Sequence, residues 1–224
     1  MSCQAFNNIP KNKLDIAYED LEVKFKDPNL LRLAKDAILR FYNANIPVKY
    51  WTLDMEKFEG DPRLLEWYKK ITEDLPGLYK KGISVCLAGL YGRGKTLTTT
   101  NILKQALVKG YSAQYVTLED IITSTKSYDH YQARQELLQT HFLVIDELDP
   151  RYMATEAASD FQGRMLESVL RYRTQNKLPI FLCTNAVDIE QAFTGAIKEA
   201  ISSLMNYVEI FPVLGKDYRK QEKI

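Results

Sequence analysis

The spacing of apolar side chains changes character near Gly82. Before it, they recur every three to four residues: Leu14, Tyr18, Leu21 and Phe25 form one stripe, Leu30, Ala34, Ile38 and Phe41 a second, and Leu64, Tyr68, Ile71 and Leu75 a third. That period predicts three amphipathic helices. The second and third open on Asp27-Pro28 and Asp61-Pro62, where an acceptor side chain caps the helix and proline at the first helical position sacrifices no hydrogen bond. Asn43 and Pro47 should stop the second helix, and Pro76-Gly77 the third. Between them, Val48 to Phe58 has no period and reads as irregular. After Gly82, short apolar runs (ISVCLAG, AQYVTL, FLVID, PIFLCT and YVEIF) alternate with longer amphipathic segments. Nearly continuous apolar runs of this length suit strands buried on both faces, and the intervening segments are long enough for crossover helices. The expectation is an α/β fold: a parallel sheet between helices, preceded by a short N-terminal helical segment.

Composition and charge narrow the picture only slightly. At 224 residues, with 46% hydrophobic and 26% charged positions, the chain is ordinary globular material for one main domain with a small appendage. The N-terminus is polar from Gln4 onward and no stretch approaches a membrane span, so a cytoplasmic protein is expected. The odd set Cys3, Cys86 and Cys183 lacks metal-ligand spacing, and the last two lie in apolar runs, where thiols act as small hydrophobes. A net charge of +1 does not announce a nucleic-acid binder, so any such contact must come from a local patch.

The chemistry concentrates in three places. Gly89-Leu-Tyr-Gly-Arg-Gly-Lys95-Thr96 fits the G-x-x-x-x-G-K-[ST] pattern between an expected strand and an expected helix. Glycine lets the backbone curl so that consecutive N–H groups point at negative charge. Gly89, Tyr91, Gly92, Arg93, Gly94, Lys95, Thr96 and Leu97 are therefore the expected ATP-binding residues. Lys95 would reach the β and γ phosphates and Thr96 would give its hydroxyl to Mg²⁺. The run Phe142-Leu-Val-Ile-Asp146-Glu147 is an apolar strand ending in two carboxylates. Asp146 suits the Mg²⁺ side, and Glu147 a base that polarises an attacking water, which favours hydrolysis over phosphoryl transfer to a substrate. The next strand ends in Thr184-Asn185. Asn185 either hydrogen-bonds the γ-phosphate or the attacking water, or simply forms a turn.

This order of motifs resembles the AAA+ ATPases, in which the three are Walker A, Walker B and sensor 1. The match is strongest to the DnaC/DnaI helicase loaders and the IstB-type transposition helpers, and it runs from about Ile46 to Arg219. The resemblance implies a P-loop NTPase fold with a five-stranded parallel sheet, strands 1 and 4 side by side, and Cys86 near Cys183. It divides the chain into residues 1–45, a helical segment that would either grip a partner or pack on the core, and an ATPase domain over residues 46–224. It implies a replicative helicase or a transposase as partner, single-stranded DNA, and ATP-dependent homo- or hetero-oligomers.

The resemblance also exposes a departure. Such assemblies complete each site with an arginine finger from a neighbour, yet GAIKEAISSLMNYVEIF contains no arginine, and Ser202-Ser203-Leu204 stands where one is expected. Lys198, Arg164, Arg171, Arg173 or another protein would have to serve, so slow intrinsic hydrolysis is expected. Arg219 is either a sensor-2-like residue or a solvated tail residue. Arg164, Arg171, Arg173, Lys177 and the basic tail are the DNA-binding candidates. The base would lie near Tyr50 and Trp51, unless that pair anchors the linker. The leading reading is a DnaC-like loader; a transposition helper, a non-hydrolysing adaptor and a small P-loop kinase are the alternatives.

Overall fold

A computed structural model of the chain describes residues 9–124, 130–149, 156–186, 188–192, 198–199, 202 and 208–217. It opens with α1 (Lys11–Lys24) and α2 (Pro28–Asn43). The Asp27 carboxylate accepts from the backbone N–H groups of Asn29 (2.8 Å) and Leu30 (3.3 Å), two of the donors that a helix start leaves without partners. Ile38 and Phe41 are buried, whereas Leu30 is exposed, so only the second half of the expected stripe meets the core.

Helix α3 (Pro62–Glu73) starts on Asp61 in the same manner. The expected stop at Pro76-Gly77 is not one. Pro76 lies in the first turn of α4 (Leu75–Lys81), where its missing N–H costs nothing, and Asp74 caps that turn by accepting from Gly77 N–H at 2.9 Å. The helix ends instead at Gly82, whose φ is +68°. A Cβ there would lie 2.6 Å from Lys177 Cα, so glycine is required by both conformation and space.

Strands β1 (Ser84–Ala88), β2 (Ala113–Thr117), β3 (Phe142–Leu148), β4 (Ile180–Thr184) and β5 (Val208–Pro212) form one parallel sheet in the order β2-β3-β4-β1-β5. The crossovers carry α5 (Lys95–Val108), α6 (Leu118–Ser124), α7 (His130–Gln139), α8 (Glu156–Gln175) and α9 (Ile189–Ala192). Each of the five apolar runs forms the strand expected of it. The chain leaves β1 in the middle of the sheet and resumes at β2 on the edge, and such a reversal opens a crevice at the carboxyl ends of the strands.

Two apolar layers sandwich the sheet. Ile102, Leu103 and Ala106 of α5 join Ile38 and Phe41 of α2 on one face, and Leu137, Leu166, Val169 and Leu170 fill the other. Arg40 of α2 also donates to Leu107 O on α5 at 2.9 Å. Strands β1 and β4 are neighbours, but the register sets Cys86 opposite Leu182 and Leu87 opposite Cys183. A one-residue offset turns side chains to opposite faces. The expected closeness of the two thiols is thus one of strands only; each is free and buried in a different layer. Among the described residues no helix is long and apolar enough to cross a membrane.

Candidate functional site

At the end of β1 the chain turns through residues 89–94 into α5, and the loop holds its lysine inward. Lys95 is only 6% exposed, and its Nζ donates to Gly89 O (2.6 Å), Leu90 O (2.9 Å) and Asn185 Oδ1 (2.9 Å). Gly94 has φ +91°, and a Cβ on it would lie 2.5 Å from the Phe58 ring. The linker before α3 therefore presses directly on the phosphate-type loop.

The neighbouring strand end supplies the acids. Thr96 Oγ1 donates to Asp146 Oδ2 at 2.7 Å, and Tyr115 OH, from β2, donates to the same oxygen at 2.9 Å. Asp146 Oδ1 accepts from Glu147 N–H at 2.7 Å. Glu147 is set apart by its backbone, with φ +54° at a shift in the β3–β4 register between Ile145 and Leu148. An irregularity of that kind re-aims a side chain that regular alternation would send to the other face. Asp146 is buried while Glu147 is exposed. Partial burial raises the Glu147 pKa, and the carboxylates of Asp146, Asp120, Glu119 and Asp149 push it the same way, which favours a proton acceptor over a spectator anion.

These groups converge on a cavity of about 540 Å³. Tyr91 to Leu97, Asp146, Glu147 and Asn185 line one side, and Lys49, Tyr50, Leu53, Asp54, Lys57 and Phe58 line the linker side. Gly89 lies at the strand end, contributing its carbonyl to Lys95 rather than a wall to the cavity. Among the described residues no cluster of three or more His, Cys, Asp or Glu side chains forms a metal cage. Thr96 and Asp146 instead offer two hard oxygen donors side by side, the donor type that Mg²⁺ takes when phosphates and water complete its sphere.

Two expectations need correction. Arg173 is neither a finger nor a DNA contact, because it is fully buried. Its guanidinium donates to the carbonyls of Leu137 (2.7 Å), Thr140 (2.9 Å), His141 (3.2 Å) and Pro179 (2.8 Å). Trp51 is buried as well, with Nε1 donating to Ile46 O at 2.7 Å, so it anchors the linker and only Tyr50 of the pair reaches the cavity. Arg164 and Lys198 are exposed, and the exposed guanidinium of Arg171 pairs with Glu167. Lys177 lies beside Gly82, before the amino ends of β1 and β4 and so at the opposite end of the strands from the cavity. Ser203, Leu204, Arg219 and Cys3 lie outside the described residues. Sequence patterning missed Tyr115, Phe58 and the Tyr91 OH–Asp149 Oδ2 bond of 2.6 Å, contacts that long-range packing creates and no short motif signals.

Searches against protein-family models and against curated proteins give no match. Solved structures do match. A candidate primosome component from Streptococcus pyogenes serotype M3 aligns with a TM-score of 0.61 at 18% identity, over 78% of this chain and 92% of its own. The DnaC helicase loader aligns at 0.60 and 18% identity, over 74% of this chain and 99% of its own. DnaA from Aquifex aeolicus, bound to AMPPCP, aligns at 0.59 and 17% identity over 78% of this chain, which spans 53% of DnaA. With a P-loop sequence at the end of the interior strand β1, this five-stranded chain has the AAA+ P-loop fold, similar in architecture to the DnaC helicase loader and to DnaA.

Proposed function

We propose that the chain binds ATP with Mg²⁺ in the 540 Å³ cavity and acts as a cytoplasmic, nucleotide-driven switch that loads a replicative helicase onto single-stranded DNA. The observation that carries the nucleotide reading is the convergence of Lys95, the Thr96–Asp146 pair and Glu147 on one crevice at the strand ends. In this reading residues 91–97 wrap the phosphates and Lys95 neutralises the β and γ groups. Thr96 and Asp146 would hold Mg²⁺, which when bound would supply charge neutralisation at the phosphate oxygens. Glu147 accepts the proton of the attacking water, and Asn185 keeps Lys95 in register while bonding the γ-phosphate.

The helicase-loading part is supported by the architecture shared with the DnaC helicase loader. The helices of residues 1–45 would hold the partner and the domain of residues 46–224 the nucleotide. A transposition helper of the IstB type would share every step except the partner. No arginine occurs from residue 174 through residue 218, and with Arg173 committed to the core the stimulating cation is left to Lys198, Arg164, Arg171 or another protein. This favours slow hydrolysis by the isolated chain, and as a second reading an adaptor that binds without hydrolysing. Kinase chemistry fits less well, because Glu147 serves a water nucleophile.

The test is particle mass with ATP or ADP, with and without single-stranded DNA, combined with phosphate release. Wild type should form large assemblies with ATP and DNA, and Lys95→Ala should remain small. A chain that stays monomeric in every condition would overturn the switch, and phosphate release stimulated by DNA or helicase would exclude the adaptor.

A further inference from the structure

Helix α5, which begins with Lys95 and Thr96, carries three polar residues at a spacing of three, Thr98, Asn101 and Lys104, all buried. Apolar residues would be cheaper there. Each meets the linker. Thr98 Oγ1 approaches Met55 Sδ at 3.7 Å, Asn101 Nδ2 donates to Leu53 O at 3.3 Å, and Lys104 Nζ donates to Tyr50 O at 3.0 Å and to Leu53 O. Tyr50 and Leu53 are the cavity wall that faces the P-loop residues. The Lys104 ammonium also lies 5.8 Å from the centre of the Phe41 ring of α2, so one buried cation touches the N-terminal helices and the linker together.

We propose that Lys104, seconded by Asn101, is a positioning residue that fixes the linker wall at the base end of the nucleotide, so that it governs affinity for the nucleoside and not for the phosphates. The inference rests on the ATP-binding reading above. The two ends of the site hang from one rigid helix: its first turn holds the phosphates, and its third turn holds the main chain that faces the base. A cation donating to two carbonyls forms the stronger, charge-assisted kind of hydrogen bond. Burial pushes the Lys104 pKa down to about 8, with the Asp54 carboxylate acting the other way, so the charge is kept at a cost that packing alone does not explain.

Calorimetric titration with MgATP and with magnesium tripolyphosphate, which has no base or ribose, tests this. Lys104→Met should weaken ATP by about tenfold or more while tripolyphosphate changes by less than about twofold. Asn101→Ala should show the same selectivity with a smaller loss, and it carries the test if Lys104→Met does not fold. Lys95→Ala should lose both ligands. Unchanged ATP affinity in the two wall variants, or equal loss of both ligands, would overturn the positioning role. Wild type that binds neither ligand would instead overturn the nucleotide reading itself.

Discussion

Arg173 binds four backbone carbonyls at the ends of α7 and the starts of β3 and β4. A buried cation is tolerable because both of its terminal nitrogens are met, Nε alone being left without a protein partner, and removing it leaves the carbonyls without partners. Arg173→Met should therefore lower unfolding free energy by about 3–5 kcal/mol in urea titrations. Its neighbour His141 accepts from Ser112 N–H through Nδ1 at 2.9 Å and packs edge-on to Tyr79 and Tyr111. Burial, and then the Arg173 cation, lower its pKa. The native state thus favours the neutral ring: its contribution is fully present above the unfolded value of about 6.5 and is lost as pH falls through the lower folded value. Stability measured between pH 7 and 5 should fall more steeply in wild type than in His141→Leu.

At the scale of elements, the end of β3 joins geometry to chemistry. A non-glycine residue in the left-handed region costs about 1 kcal/mol, and Glu147 adopts it at φ +54°. Within β3 the strain falls on the residue that lines the cavity at the register shift, as is common where backbone strain serves a site. Glu147→Gln, which keeps the shape and removes the proton acceptor, should bind ATP as wild type does. It should lose phosphate release by about 10²-fold or more, measured with whatever stimulus activates wild type. The loop before α5 illustrates the reverse case, in which a motif is local. Gly94, Lys95 and Thr96 lie within three residues, and their spacing was readable between an apolar run and an amphipathic segment that already pointed to a strand and a helix.

For the molecule as a whole, the order of the strands decides what meets. Interposing β4 and β3 between β1 and β2 brings Asn185 against Lys95 and Asp146 against Thr96, although these pairs are 90 and 50 residues apart. If nucleotide drives assembly, the mass of wild type should rise with ATP and single-stranded DNA and that of Lys95→Ala should not. Periodicity, N-caps and the spacing of the P-loop act over a few residues, so the five strands, and the residues from Tyr91 to Leu97 that line the cavity, were legible in the chain itself. Only tertiary structure could decide that Arg173 is a core residue and not a finger, that Trp51 anchors while Tyr50 faces the cavity, and that Cys86 and Cys183 lie in different layers. It also decided that α5 holds the linker through Lys104. Each of these depends on which surface a side chain meets across the fold, a matter of long-range packing and strand register that no local pattern contains.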